Sequence, residues 1–127
     1  PRLVNDPNSL AFTLEAWMPE SIAVMKLRGF AHDVGGQIIE SLPGVVRMRV
    51  GTGSVKERKN SSWFGFNRKP EPLLLELHLH QLEQRNGSKL LIQAIFRPQH
   101  LSQLSDAAWR ERCTQTYIDL RGYLMGS

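Results

Sequence analysis

One cysteine in 127 residues, Cys113, leaves no partner for an internal disulfide and hence no disulfide framework of the secreted kind. No apolar run approaches the roughly 20 residues of a membrane helix, and the N-terminus lacks the basic-then-apolar order of a signal peptide. These absences lead us to expect a soluble chain in the reducing cytoplasm. Catalytic signatures are missing too. Gly51-Thr52-Gly53-Ser54 lacks the lysine of a phosphate loop, and neither a dinucleotide fingerprint nor a kinase catalytic motif is present. Ser61-Ser62 has no nucleophile elbow around it, Cys113 has no histidine base beside it in sequence, and Glu76 and Glu83 define no acid pair without a cleft. The expectation is a noncatalytic chain that needs no cofactor.

The hydrophobic content, 41%, is enough for one compact core at this length and too little for two. Residues 1–127 therefore read as a single α+β domain. It opens on Pro1 rather than methionine, which suggests excision from a larger protein. The net charge of +4 is unevenly placed: Lys56, Arg58, Lys59, Arg68 and Lys69 oppose only Glu57, and the rest of the chain is neutral. Those residues belong to a basic and aromatic connection over 51–72, which also carries Trp63, Phe64 and Phe66. The aromatics point to an anchored segment, and the bases could orient phosphate or an acidic partner.

Period-2 alternation over Leu10–Trp17 predicts a first strand, with Phe12, Leu14 and Ala16 on one side. Pro19 and Glu20 suit the opening of a helix. Ile22, Leu27, Ala31, Val34, Ile38 and Leu42, widened by Met25 and Phe30, predict that it continues until Pro43-Gly44, with Gly35-Gly36 as a weak point. Val45–Val50 predicts a second strand. Leu73, Leu75, Leu77 and Leu79 alternate, as do Leu90, Ile92, Ala94 and Phe96, on either side of Asn86-Gly87, a pair suited to a type I′ hairpin turn. With those two as the turn, partner numbers sum to 173, so Leu77 meets Phe96 and Glu76 meets Arg97. Trp109, Cys113, Thr116, Tyr117, Leu120 and Leu124 predict a last helix, with Ser105 as its cap.

The resulting fold class is a two-layer sandwich of element order β-α-β-β-β-α, a four-stranded, mainly antiparallel sheet with two helices on one face. This order resembles the ferredoxin-like sandwich without its second helix, and after residue 19 the αβββα double-stranded-RNA-binding arrangement without a lysine patch on its last helix.

His78 and His80 leave one face of the predicted hairpin, and imidazole pairs ligate transition metals. No motif brings His32, His100, Glu76 or Cys113 to them, so no metal site is assigned. Arg47, Arg49 and Arg97 are expected on that same helix-free face. Together with Lys56, Arg58, Lys59, Trp63, Phe64, Phe66, Arg68 and Lys69, they form the candidate partner-binding surface, to which aromatics would lend buried area and bases orientation. Nucleic acid is the alternative ligand, because phosphate attraction uses the same bases; a small metal-binding or enzymatic domain is a further one.

The Val45–Val50 strand, Ser62-Trp63-Phe64-Gly65-Phe66, and the Leu75–Leu79 and Ala94–Pro98 arms resemble an uncharacterised accessory or C-terminal domain of bacterial serine/threonine protein kinase-like signalling proteins. The resemblance implies a regulatory or recognition module, with phosphorylation performed elsewhere. Its partner would be a protein or a neighbouring domain of the same parent.

Overall fold

The computed structural model describes residues 3–51, 71–84 and 87–125. Strand β1 (Leu10–Ala16) leads through Pro19, the N-cap, into helix α1 (Glu20–Asp33), whose buried residues are Ala23, Leu27, Phe30 and Ala31. The helix then stops nine residues earlier than its apolar spacing predicts. Gly35 takes a positive φ of 68°, its N–H donates to the His32 carbonyl (3.2 Å), and the Gly36 N–H donates to the Ala31 carbonyl (2.7 Å). Those two bonds make a Schellman cap, which satisfies the last carbonyls and turns the chain out of the helix. Ile38 and Leu42 consequently belong to a strand, β2 (Gln37–Leu42), rather than to the helix stripe.

Pro43-Gly44 joins β2 to β3 (Val45–Val50), with Leu42 opposite Val45. Proline followed by a glycine at φ 80° has the form of a type II turn. The turn is fixed from both sides: the Gly44 N–H donates to Glu20 Oε2 (3.2 Å), and the Leu79 N–H donates to the Gly44 carbonyl (2.8 Å).

The long hairpin follows as β4 (Leu73–Gln84) and β5 (Gly87–Arg97), then a 3₁₀ turn (Leu101–Ser105) and helix α2 (Ala107–Met125). The expected four strands become five, in the antiparallel order β1-β5-β4-β3-β2, because residues once assigned to a helix supply the far edge. The hairpin register sums to 171 rather than 173: Leu77 lies opposite Ala94 and Glu76 opposite Ile95, and Gly87 is the first residue of β5 rather than a turn residue. A shift of two preserves the facing of every side chain, so the division of the hairpin into two faces is as expected.

On one face Leu14, Ala16, Val46, Met48, Val50, Leu73, Leu75, Leu77, Leu79, Leu90, Ile92, Ala94 and Phe96 form a continuous core with both helices. α1 packs over β2 and β3, and α2 over β1. Phe12 ties the second junction, stacked on Tyr117 (4.4 Å between centroids) and edge-on to Phe96 (6.0 Å). The molecule is thus a mixed α+β domain in two layers. Two smaller expectations change. Met25 is 64% exposed and Ile22 partly so, because Ala23 takes the inward position. Asp106, not Ser105, caps α2 by accepting the Ala108 N–H at Oδ1 (3.0 Å).

Candidate functional site

Period-2 facing brings Arg47, Arg49, His78, His80 and Arg97 to the sheet face that carries no helix, as the alternation predicts. Strand neighbours order them in rows. One runs Ile95, Glu76, Arg47 and Glu40; the next runs Arg97, Leu74, Arg49 and Gln37; a third runs Thr13, Gln93, His78 and Val45.

Glu76 is the centre of the first row, and only 7% of it is exposed. Its Oε2 accepts from Arg47 Nε (3.0 Å) and Arg97 Nε (3.1 Å), and its Oε1 accepts from Arg97 Nη2 (3.1 Å) and pairs with His78 Nε2 (2.5 Å). The fork from Arg97, then the bonds from His78 and Arg47, outweigh desolvation and hold the Glu76 carboxyl at about 2. Both arginines are in turn raised, chiefly by their bonds to Glu76. Each has one more carboxylate: Arg47 pairs with Glu40 and Arg97 with Asp6. Among the described residues Arg49, which is exposed, has no carboxylate partner.

On that face neither histidine is free: His78 bonds Glu76 and His80 bonds Gln93. Since Glu76 is ionised, it accepts, and His78 Nε2 carries the hydrogen. His80 Nε2 lies 2.9 Å from Gln93 Oε1, an acceptor, so it carries one as well. The two rings stack at 6.4 Å with both Nε2 atoms engaged. Among the described residues no three side chains of His, Cys, Asp or Glu converge as metal ligands would. Cys113 is fully buried, which pushes its thiol up to about 12.

Gln93 is 3% exposed and faces the N-terminal segment. Its Nε2 donates to the Val4 carbonyl (2.9 Å), and its Oε1 accepts the Val4 N–H (2.9 Å). Asp6 accepts the Asn8 N–H at Oδ1 (2.9 Å) and meets Arg97 through Oδ2; the backbone bond first, then Arg97, keeps its carboxyl below the usual range. Residues 3–6 therefore lie along β5 on the helix-free face before turning at 7–9 into β1. Alternation places Gln93 on this face but gives no sign of the overlay. A glutamine in an alternating strand signals an outward position, and only the structure shows what covers it.

Between Arg47 and Arg97 the face sinks into a recess of about 250 Å³, lined by Ile39, Leu74 and Glu76 as well as the two guanidiniums. Ile39 is the extra residue of a bulge in β2 between Ile38 and Glu40, which leaves its side chain half exposed at the sheet edge. No family model and no curated protein matches the chain. Neither comparison links it to kinase-associated domains.

The remaining candidates, Lys56, Arg58, Lys59, Trp63, Phe64, Phe66, Arg68 and Lys69, lie outside the described residues, as does Asn86. An aromatic that the sequence reading passed over is at the edge of the face: Trp17, 59% exposed, with Lys89 Nζ 5.0 Å from its ring and 2.7 Å from Glu15.

Proposed function

We propose that this domain is a noncatalytic protein-recognition module whose contact surface is the helix-free sheet face, with Arg47, Arg49 and Arg97 reading acidic groups beside an aliphatic side chain. The observation that carries this reading is the buried Glu76, which clamps Arg47 and Arg97 on either side of a recess whose remaining walls include Ile39 and Leu74. Guanidiniums fixed in advance lose little freedom when they bind, and an arginine beside an apolar pocket is a frequent centre of protein interfaces.

Charge balance favours protein over nucleic acid on this face. Glu76, Glu40 and Asp6 already accompany Arg47 and Arg97, so the many phosphates of a nucleic acid would meet a nearly neutral surface, whereas one carboxylate beside an aliphatic side chain needs only Arg49 or an exchange for Asp6. Appended to a signalling kinase, the setting that the resemblance implies, and in the cytoplasm to which the lone cysteine points, such a module would select a partner or a neighbouring domain while the kinase performs phosphorylation.

Arrays of peptides varied in acidic and aliphatic content provide the test, with the full chain as probe. Sequences that combine a carboxylate with an aliphatic residue should be retained, and Arg49→Glu or Ile39→Asp should reduce retention at least tenfold without altering the far-UV spectrum. Retention unaffected by both folded variants would remove this face from consideration. Salt-sensitive, saturable binding of single- or double-stranded nucleic acid that depends on Arg49 would establish the alternative instead.

A further inference from the structure

Gln93 and Arg97 are each held in place by a neighbour, and each presents its remaining polar group to residues 3–6. His80 donates to Gln93 Oε1, which fixes which end of the carboxamide faces the Val4 N–H and which faces the Val4 carbonyl. Glu76 takes Nε and Nη2 of Arg97, leaving Nη1 directed at Asp6. The carboxamide thus pairs with the backbone N–H and C=O of one residue as a neighbouring strand would, independent of side chain, while the guanidinium selects for a carboxylate two residues later. Ile95, 1% exposed although it lies on the helix-free face, sits between those two reading groups.

We propose that the helix-free face is a binding site for an extended peptide of the pattern aliphatic-x-acidic, and that Val4-Asn5-Asp6 of the chain itself occupies it as a cis ligand. This rests on the recognition reading given above and specifies the partner's chemistry. Among the described residues, 3–6 hold on to the face by few contacts, the two bonds to Gln93, the pair with Arg97 and a half-buried Val4. A competing peptide can replace every one of them. Because the cis segment is tethered, its high effective concentration makes the site closed to weak partners and open only to those that outcompete it.

The experiment uses the full chain and a fluorescent peptide comprising Leu3–Ser9. Asp6→Lys in the chain sets a cation against Arg97 and should release the cis segment. The native peptide should then bind this variant at least tenfold more tightly than it binds the unaltered chain, and a peptide bearing the same Asp6→Lys change should bind neither. Val4→Pro, which removes the N–H offered to Gln93, is a second route to the open state and should give the same gain. Equal affinity for the altered and unaltered chains, absence of binding to both variants, or indifference to the peptide's own Asp6→Lys change would each overturn cis occupation and leave residues 3–6 as a structural overlay. If that occurs while peptide-array retention still depends on Arg49, recognition by this face stands and only the cis-ligand inference falls.

Discussion

Glu76 is a structural side chain that, under the proposed recognition reading, also fixes the two guanidiniums in advance of binding. Its carboxylate is enclosed, yet it remains ionised because two guanidiniums and an imidazole N–H surround it. A carboxyl whose value falls from the ordinary 4.5 to about 2 on folding stabilises the native state at every pH above its unfolded value. That stability is lost as the pH falls from about 4.5 through about 2. Glu76→Gln, of similar size but without charge, should lower neutral-pH stability by roughly 2 to 3 kcal/mol. It should also flatten the acid limb of a stability-versus-pH curve measured by urea unfolding. An unchanged acid limb in the variant would assign the acid sensitivity to other carboxylates.

At the same scale, the elevated thiol of Cys113 predicts kinetic inertness, since the thiolate is the reactive species and burial keeps both it and the reagent away. A thiol-reactive chromophore should label Cys113 only as fast as the protein unfolds. Stoichiometric labelling in the folded state, within minutes and without denaturant, would contradict the burial described here.

Secondary-structure elements were legible where periodicity and local geometry agree, and misread where they conflict. β4 and β5 alternate over many residues, so their faces could be assigned even though their register was displaced by two. The α1–β2 boundary was harder because Val34, Ile38 and Leu42 continue an approximately helical spacing across it. Backbone chemistry overrides that spacing: the Schellman bonds need Gly35 in the left-handed region, and a Cβ on Gly36 would fall 2.6 Å from the Arg49 carbonyl oxygen. Gly-Gly within an apolar stripe was thus the available signal for a helix end.

The element-scale prediction follows from that geometry. Gly35→Ala should cost about 1 kcal/mol or more for its left-handed backbone. Gly36→Ala should cost more, because the obstacle is the backbone of the adjacent β3 rather than a flexible side chain. Urea midpoints for the two variants test the order. If Gly36→Ala proves neutral, the close approach of the helix exit to β3 is wrong.

For the candidate site, the sequence disclosed which residues share a face but not which satisfy one another. Alternation put Arg47, Arg97, His78 and Glu76 on one face and the expected register set Glu76 directly opposite Arg97; with the register displaced by two, Ile95 is the direct neighbour and Arg97 reaches Glu76 diagonally. Likewise, Val4 and Gln93 are 89 positions apart, and no local pattern couples them.

The whole molecule is bound together by the place of β1. It is the first strand in sequence but pairs with the last, Leu10 opposite Phe96 and Ala16 opposite Leu90, while α1 carries the chain from that edge to β2 at the opposite one. Among the described elements no cut therefore separates a portion with its own closed core: β2–β5 without β1 would leave the β5 edge open and Phe96 without its Phe12 neighbour. Such a topology should unfold as one unit. Far-UV circular dichroism and tryptophan fluorescence should follow coincident urea transitions, and Phe96→Ala should shift both together by about 3 to 5 kcal/mol. Asp6→Lys, by contrast, should leave the transition cooperative and shift it far less than Phe96→Ala does, because it loosens a segment laid over the sheet rather than a strand within it. If Asp6→Lys unfolds the domain as severely as Phe96→Ala does, residues 3–6 are integral to the fold and cannot exchange with a partner peptide.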